Sequence, residues 1–270
     1  MISLYPKKEF KLPVVAECIN PDVFQGKTLK EIGQLELWEG NKKRKLGELF
    51  KVEEGSSTET VIIINGDVSK VRRIGAGMTS GEIIVKGDVG MHLGEGMKGG
   101  KITVYGNSGG WAGSMMTGGT IEIHGNAGDY LGAPYRGIPE GMKGGKIIVY
   151  GNVGNEAGAY MRKGLIKIYG NAGQFVGLRM HDGLIYVQKN CEGRAGACMK
   201  DGTIAIGGFM ESVLPSFTFE GVKKRVKIEE GDVVEVSFYL FLGDLTENGT
   251  GKLYVSKVNN PQLSHYEKLL

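Results

Sequence analysis

Between residues 61 and 208 the chain writes short bursts of alternating aliphatic residues: Ile102 and Val104, Ile121 and Ile123, Ile147 and Val149, Ile166 and Ile168. A period of two puts each pair on one side of a short strand. The bursts themselves recur. Met78, Met97, Met116, Met142, Met161, Met180 and Met199 are spaced 19, 19, 26, 19, 19 and 19 residues apart, so five of six intervals agree and the sixth is one period plus seven. The shared core reads Gly-x-x-Met-x-x-Gly-x-(Ile/Leu)-x-(Ile/Val)-x-Gly, as in GEGMKGGKITVYG at 94–106 and GAYMRKGLIKIYG at 158–170. The near-identical GMKGGKITVYGN at 96–107 and GMKGGKIIVYGN at 141–152 are two copies out of seven.

Strands this short are unstable alone and need the next copy stacked on them. The repeat-core residues are Gly75 and Met78, Gly94 and Met97, Gly113 and Met116, Met142, Gly158 and Met161, Gly177 and Met180, and Gly196 and Met199. Leu93, Ala112, Leu131, Ala157, Val176 and Ala195 share one further register and are all apolar. Together with the methionines and the aliphatic pairs they make an interior. Glycines at fixed offsets supply corners, and three or four per period, at about 1 kcal/mol each, exclude helix. The pattern predicts an all-β fold, a parallel β-helix (solenoid) of about seven 19-residue coils, spanning roughly 34 Å at about 4.8 Å per coil.

Composition changes this picture in one respect. There are 46 glycines in 270 residues, against an average share near 7%, while seven prolines are too few for a loose linker. The glycines are therefore ordered. Exposed strand edges at either end of such a stack need covering, and composition shifts there. The expected organisation is an N-terminal cap at 1–60, the repeats at 61–208 and a strand-rich C-terminal extension and tail at 209–270. LPVVAECI, ETVIIING and VVEVSFYLFL read as strands, TLKEIGQL as a short helix opened by Thr28, NGTG at 248–251 as a turn between strands, and NNPQLSHYEKLL as an extended tail. The C-terminal strand is expected to pack on the repeat body. The 26-residue interval adds seven residues around APYRGIP at 133–139, either a binding loop or a neutral insertion.

The chemistry is sparse. No apolar run is long enough for a membrane span, and MISLYPKKEFKLP has no apolar secretion segment, so a cytoplasmic location is expected. Cys18, Cys191 and Cys198, and the four histidines at 92, 124, 181 and 265, show no metal-ligand spacing. The methionine column suits a narrow core better than a metal ladder. GAGMTSG at 75–81 and GNAGDYLG at 125–132 lack the Lys-Ser/Thr of a phosphate loop. A net charge of +3 is too mild to indicate nucleic acid, and KKRK at 42–45 and KKR at 223–225 read as solvated faces.

One column is not ordinary. The residue after each methionine is Thr79, Lys98, Thr117, Lys143, Arg162, His181 and Lys200. Stacked in register, these line one corner with cations, offset in part by Asp182 and Asp201. They read either as a solvated basic edge or as a docking strip for an acidic surface on another subunit, joined by Tyr135 and Arg136 of the inserted loop. A second outward column, Lys86, Tyr105, His124, Tyr150, Tyr169 and Gln188, stacks tyrosines on neighbouring strands. Ile148, Leu165 and Leu184 also point outward, an apolar face that burial against a partner would explain.

The seven Gly-x-x-Met cores resemble the GXGXG-type β-helix of the glutamate synthase large subunit. With the flanks PDVFQGKTLKEIGQL at 21–35 and FLGDLTENGTGKLYVSKVNNP at 241–261, nearly the whole chain more closely resembles the C subunit of formylmethanofuran dehydrogenase of methanogenic archaea. It is also similar to the C subunit of the formyltransferase/hydrolase complex of methylotrophic bacteria. The resemblance implies a right-handed coil. It also implies a non-catalytic scaffold subunit in a cytoplasmic oxidoreductase complex that reversibly reduces carbon dioxide and forms N-formylmethanofuran in the first step of methanogenesis. The implied partners are a metallopterin subunit, a binuclear-metal hydrolase subunit and iron–sulfur subunits. These would hold the tungsten or molybdenum pterin, the clusters and the metal pair, leaving no catalytic, cofactor or metal residue in this chain. Three alternatives stay open: a glutamate synthase-like subunit, the C subunit of a formyltransferase/hydrolase complex, and a stand-alone basic-faced protein binding nucleic acid or anions.

Overall fold

The alternation becomes sheet register. In the computed structural model, which describes residues 1–55 and 60–269, each aliphatic pair lies in a short strand and successive strands pair in parallel. Ile83, Ile102, Ile121, Ile147, Ile166, Ile185 and Ile204 are consecutive partners, as are Val85, Val104, Ile123, Val149, Ile168, Val187 and Ile206. All fourteen are fully buried. A slip of one residue would turn the whole set to solvent, so burial fixes the register. The seven methionines and Leu93, Ala112, Leu131, Ala157, Val176 and Ala195 are buried with them. The seven extra residues leave the pairing untouched, because they form a turn at 133–139 before Ile147 meets Ile121.

The architecture differs from the expected right-handed parallel β-helix with short capping extensions. The structure is organised by one 13-stranded sheet of mixed direction. In spatial order its strands are Thr218–Lys223, Phe238–Gly243, Gly251–Ser256, Thr203–Ile206, Leu184–Val187, Lys163–Ile168, Lys143–Val149, Thr120–Ile123, Lys101–Val104, Glu82–Val85, Val61–Ile64, Ile2–Pro6 and Phe50–Glu54. The middle is parallel. Both ends are antiparallel, where Phe50–Glu54 joins Ile2–Pro6 and where Phe238–Gly243 joins Gly251–Ser256 and Thr218–Lys223. Elsewhere pairing is sparse: single parallel bridges from Val68 through Val89, Ser108, Ala127 and Val153 to Ala172, two two-stranded sheets and one four-stranded sheet. The physical reason is that a two-residue alternation and a 19-residue spacing specify strands and their register. They do not specify how the backbone between them closes, or that the flanks add five strands to the same sheet.

The flanks show further differences. Thr28 does open a helix, Leu29–Gly33, accepting from the Glu31 N–H at 3.3 Å while Glu31 accepts from the Thr28 N–H at 2.8 Å. This reciprocal pair satisfies two orphan donors of the first turn. LPVVAECI yields only Val14–Val15, and ETVIIING yields Val61–Ile64, with Glu59 outside the described residues. KKRK is the strand Lys42–Lys45, tied to Glu36, Glu39 and Glu48 by its cations. NGTG follows the 3-10 turn Leu245–Glu247, with Asn248 left-handed at its end, so it joins helix to strand. The tail is a 3-10 helix, Pro261–Leu269.

VVEVSFYLFL splits. Its second half is the sheet strand Phe238–Gly243, whereas Asp232–Val234 pairs back on Val226–Glu229 as a separate hairpin. That hairpin covers the apolar outer face for which the sequence predicts a partner: Val226, Ile228 and Val234 pack with Phe238 over Leu165, Leu184, Tyr186 and Ala205. Lys167, only 5% exposed, donates to Glu229 and, at 2.5 Å, to Asp232, while Lys146 also reaches Glu229. No ladder bonds join hairpin and sheet among the described residues, so the hairpin should open without the sheet. Hydrogen exchange of amides 226–234 is expected to run about tenfold or more above that of Lys163–Ile168, and Lys167→Met to accelerate it further. Equal protection of the two segments would make the hairpin part of the core.

Candidate functional site

Each repeat turns a corner just before its Leu93/Ala112/Leu131 position, and the residue there is left-handed: Arg73, His92, Trp111, Tyr130, Glu156, Phe175 and Arg194 have φ between 55° and 65°. For large side chains that region costs on the order of 1–2 kcal/mol. Glycine would avoid the cost, so side chains kept there mark a column worth reading chemically. His92 stacks on Trp111 at 5.4 Å and Trp111 on Tyr130 at 4.4 Å. The indole Nε1 of Trp111 is buried without a hydrogen-bond partner.

The inserted loop closes on this column. Tyr135 packs on His92 at 5.3 Å, and its hydroxyl donates to Glu95 Oε2 at 2.8 Å and lies 3.3 Å from His92 Nδ1. Arg73 holds the same carboxylate with two bonds, Nε to Oε2 at 3.0 Å and Nη2 to Oε1 at 2.7 Å, and also reaches Glu17. Burial alone would raise the Glu95 pKa, but the bonds from Arg73 and Tyr135 prevail and hold it below the usual carboxylate range. Burial pushes His92 down, against Glu95. Burial, with the bond to Glu95, pushes Tyr135 up to about 12. Near neutral pH Glu95 is therefore ionised and Tyr135 keeps its proton, which makes a clasp for the loop and not a proton relay. Beside it lies a cleft of about 160 Å³ bordered by Trp111, Tyr130, Tyr135, Arg136, Glu156 and Tyr160.

The other end of the loop is held by the basic column. From Lys98 on, each member donates its N–H to the methionine carbonyl of the preceding repeat, as Thr117 to Met97, Lys143 to Met116, Arg162 to Met142, His181 to Met161 and Lys200 to Met180, at 2.7–2.8 Å. The column is thus stacked in register. Lys98, Lys143 and Lys200 are exposed, whereas Arg162 and His181 are half-buried. Lys143 pairs with Glu140 at 2.5 Å. Arg162 bonds the Pro139 carbonyl at 3.0 Å and lies 3.0 Å from His181 Nδ1, with its Nε buried and unpartnered. Asp182 and Asp201 each accept from the next glycine N–H, at 2.6 and 2.7 Å, instead of from the column. Arg136 is exposed beside Tyr130.

Gly75, Gly94, Gly113, Gly158, Gly177 and Gly196 take φ of 60–73° next to fully buried methionines. The tyrosine column stacks as expected, Tyr105 on His124 at 4.9 Å, His124 on Tyr150 at 4.9 Å and Tyr150 on Tyr169 at 5.2 Å. An amide ladder runs along another corner, each Asn Oδ1 accepting the N–H one repeat on, from Asn107 through Asn126, Asn152 and Asn171 to Asn190. Sequence reading missed Arg73, Glu95, His92 and Trp111. The 19-residue spacing of Arg73, His92, Trp111 and Tyr130 was the signal, and bulky residues at a corner were its oddity. An iron–sulfur cluster takes four thiolates; burial pushes Cys18 and Cys191, two of the three cysteines, up to about 11, so these residues do not fit one. Among the described residues no group of three His, Cys, Asp or Glu is placed to hold a metal ion, and no helix is long and apolar enough to cross a membrane.

A fold of this kind occurs in a formyltransferase/hydrolase complex. The chain superposes with a TM-score of 0.85, at 30% identity, on a chain of the formyltransferase/hydrolase complex from Methylorubrum extorquens, solved with methylofuran, covering 94% of this chain and 99% of that one. No family model matches. Against the C subunit of the tungsten-containing formylmethanofuran dehydrogenase 2 of Methanococcus maripaludis it is 51% identical over 263 residues, 95% of this chain and 97% of the relative. The chain belongs to the family of formylmethanofuran dehydrogenase C subunits. With the C subunit of the molybdenum-containing enzyme 1 of Methanothermobacter marburgensis it shares 51% over 90 residues, 33% of this chain and only 22% of that relative's length.

Proposed function

We propose that this chain is a non-catalytic scaffold subunit of a cytoplasmic formylmethanofuran dehydrogenase complex in a methanogenic archaeon. The assembly reversibly reduces carbon dioxide to N-formylmethanofuran, its metallopterin, iron–sulfur clusters and binuclear metal centre residing in other subunits. This reading is carried by the full-length match to the relative from Methanococcus maripaludis. The lower identity, 30%, of the formyltransferase/hydrolase chain favours the dehydrogenase over that relative.

The mechanical part rests on the sheet. Ten strands from Ile2–Pro6 to Gly251–Ser256 pair in parallel, a span of about 43 Å at about 4.8 Å per interval. A continuous backbone-bonded spacer of that length suits holding two catalytic subunits at a fixed distance.

The test is purification of the tagged chain from its own cells, with mass spectrometry of what co-elutes. Metallopterin and binuclear-metal subunits are expected at fixed stoichiometry. Recovery of the chain alone, or with glutamate synthase components, overturns the reading.

A further inference from the structure

The stacked basic corner from Lys98 to Lys200 carries more positive charge than the chain neutralises. Of its cations, only Lys143 has a carboxylate partner among the described residues, Glu140. The two nearest acids in sequence, Asp182 and Asp201, are turned onto backbone N–H groups. Arg162 is half-buried with an unpartnered Nε and bonds a carbonyl and an imidazole; the one carboxylate that feels its charge, Glu140, is already paired with Lys143.

Like charges one strand spacing apart repel, and a half-buried guanidinium without a counterion is costly. The neighbouring His181 reports the same field: after burial, Arg162 and Lys200 push its pKa down, against Glu247. A neutral His181 accepts from Arg162 and so keeps the guanidinium at the Pro139 carbonyl.

We propose that this corner, centred on Arg162 and bounded by the 133–140 loop, is the docking site for an extended acidic segment of a neighbouring subunit of the same complex. The inference rests on the scaffold reading above and adds where and by what chemistry that scaffold is gripped. Lys98 and Lys200 are five strand intervals apart, about 24 Å, which seven or so extended residues span. Carboxylates on that segment supply the missing counterions, the central one meeting the Arg162 guanidinium, whose planar fork suits a carboxylate. Lysines on either side steer the approach and fix its register.

The experiment compares wild-type tagged chain with the variant Lys98→Glu/Lys200→Glu, altered only at exposed residues, and with Arg162→Gln. Each is purified with its complex from native cells at low and high salt. Assemblies are then treated with a zero-length carbodiimide, which joins lysine to carboxylate. Cross-links from Lys98, Lys143 or Lys200 to one acidic segment of one partner subunit are expected. So is a loss of about tenfold in recovered complex for the double variant at low salt, shrinking at high salt as the wild-type contact is itself screened. The melting temperature of each full-length variant checks that folding is intact. A complex recovered in full from the double variant, without such cross-links, overturns the docking site and leaves the scaffold reading standing. Wild-type chain recovered without partners overturns both. Capture of nucleic acid at this corner in place of a protein segment also overturns the proposal.

Discussion

Alanine at Gly118 is expected to lower the melting temperature of the chain by about 10 °C or more, or to prevent soluble folding. An added Cβ would lie 2.3 Å from the carbonyl oxygen of Lys98 in the repeat before, and 3.2 Å from its carbon. Neither is a flexible side-chain end. The same approach recurs at Gly99 against Thr79 and at Gly144 against Thr117, at 2.3 and 2.4 Å, so relieving it means prising two strands apart. Overpacking that the backbone cannot absorb costs about 3 kcal/mol or more, and about 1 kcal/mol moves the midpoint of a chain this size by roughly 2–4 °C. Gly77 is the control. Its φ is +67° but nothing lies within 4 Å of where a methyl group would sit, so alanine there carries only the left-handed penalty, about 1–2 kcal/mol. Thermal denaturation followed by circular dichroism separates the two. Equal small shifts would show that the strand spacing relaxes freely.

Glu95→Gln has the second largest expected effect, about 2 kcal/mol at neutral pH. It keeps the shape and removes the charge that Arg73 and Tyr135 share. Tyr135→Phe, which removes one donor, should cost about 1 kcal/mol. Both changes should also loosen the 133–139 loop, read as faster proteolysis there. The pH dependence has a definite sign. The carboxyl of Glu95 titrates lower in the folded chain than in the unfolded one. Its stabilisation is therefore complete above the unfolded value, about 4.3, and is lost as pH falls through the folded value. The stability gap between wild type and Glu95→Gln should be level above about pH 5 and shrink below about pH 4. A gap that stays constant into acid would mean that the charge contributes nothing.

Much of the sheet is readable because its signals are local and repeated. Ile121 and Ile123 declare a strand, and Met97 and Met142 declare where its neighbours lie, so register follows from spacing. What lies outside that signal is the destination of the flanks. Nothing in Ile2–Pro6 or Phe238–Gly243 says that these strands extend the same sheet, and the antiparallel ends follow from contacts between residues far apart in the chain. The hairpin at 226–234 is hidden likewise: Leu165 and Leu184 look like an uncovered surface because their cover begins 61 and 42 residues later. The clasp is legible in part. Tyr135 stands out through the odd interval, but its partners Glu95, His92 and Arg73 lie 40 to 62 residues away in sequence and meet it only through the turn.

The hairpin has a consequence for orientation. It seals the outer face over Leu165, Leu184 and Ala205 and stops at the repeat of Lys146, where Tyr150 is 44% exposed; two repeats earlier Tyr105 is 59% exposed. A stack of near-identical repeats would otherwise offer nearly the same face at every level, and a neighbour could settle one repeat too high or too low. With one end shut and the other presenting bare aromatic rings, the levels are no longer equivalent. The chain carries its own zero mark, and a neighbour reading this face has one height and one direction in which to sit.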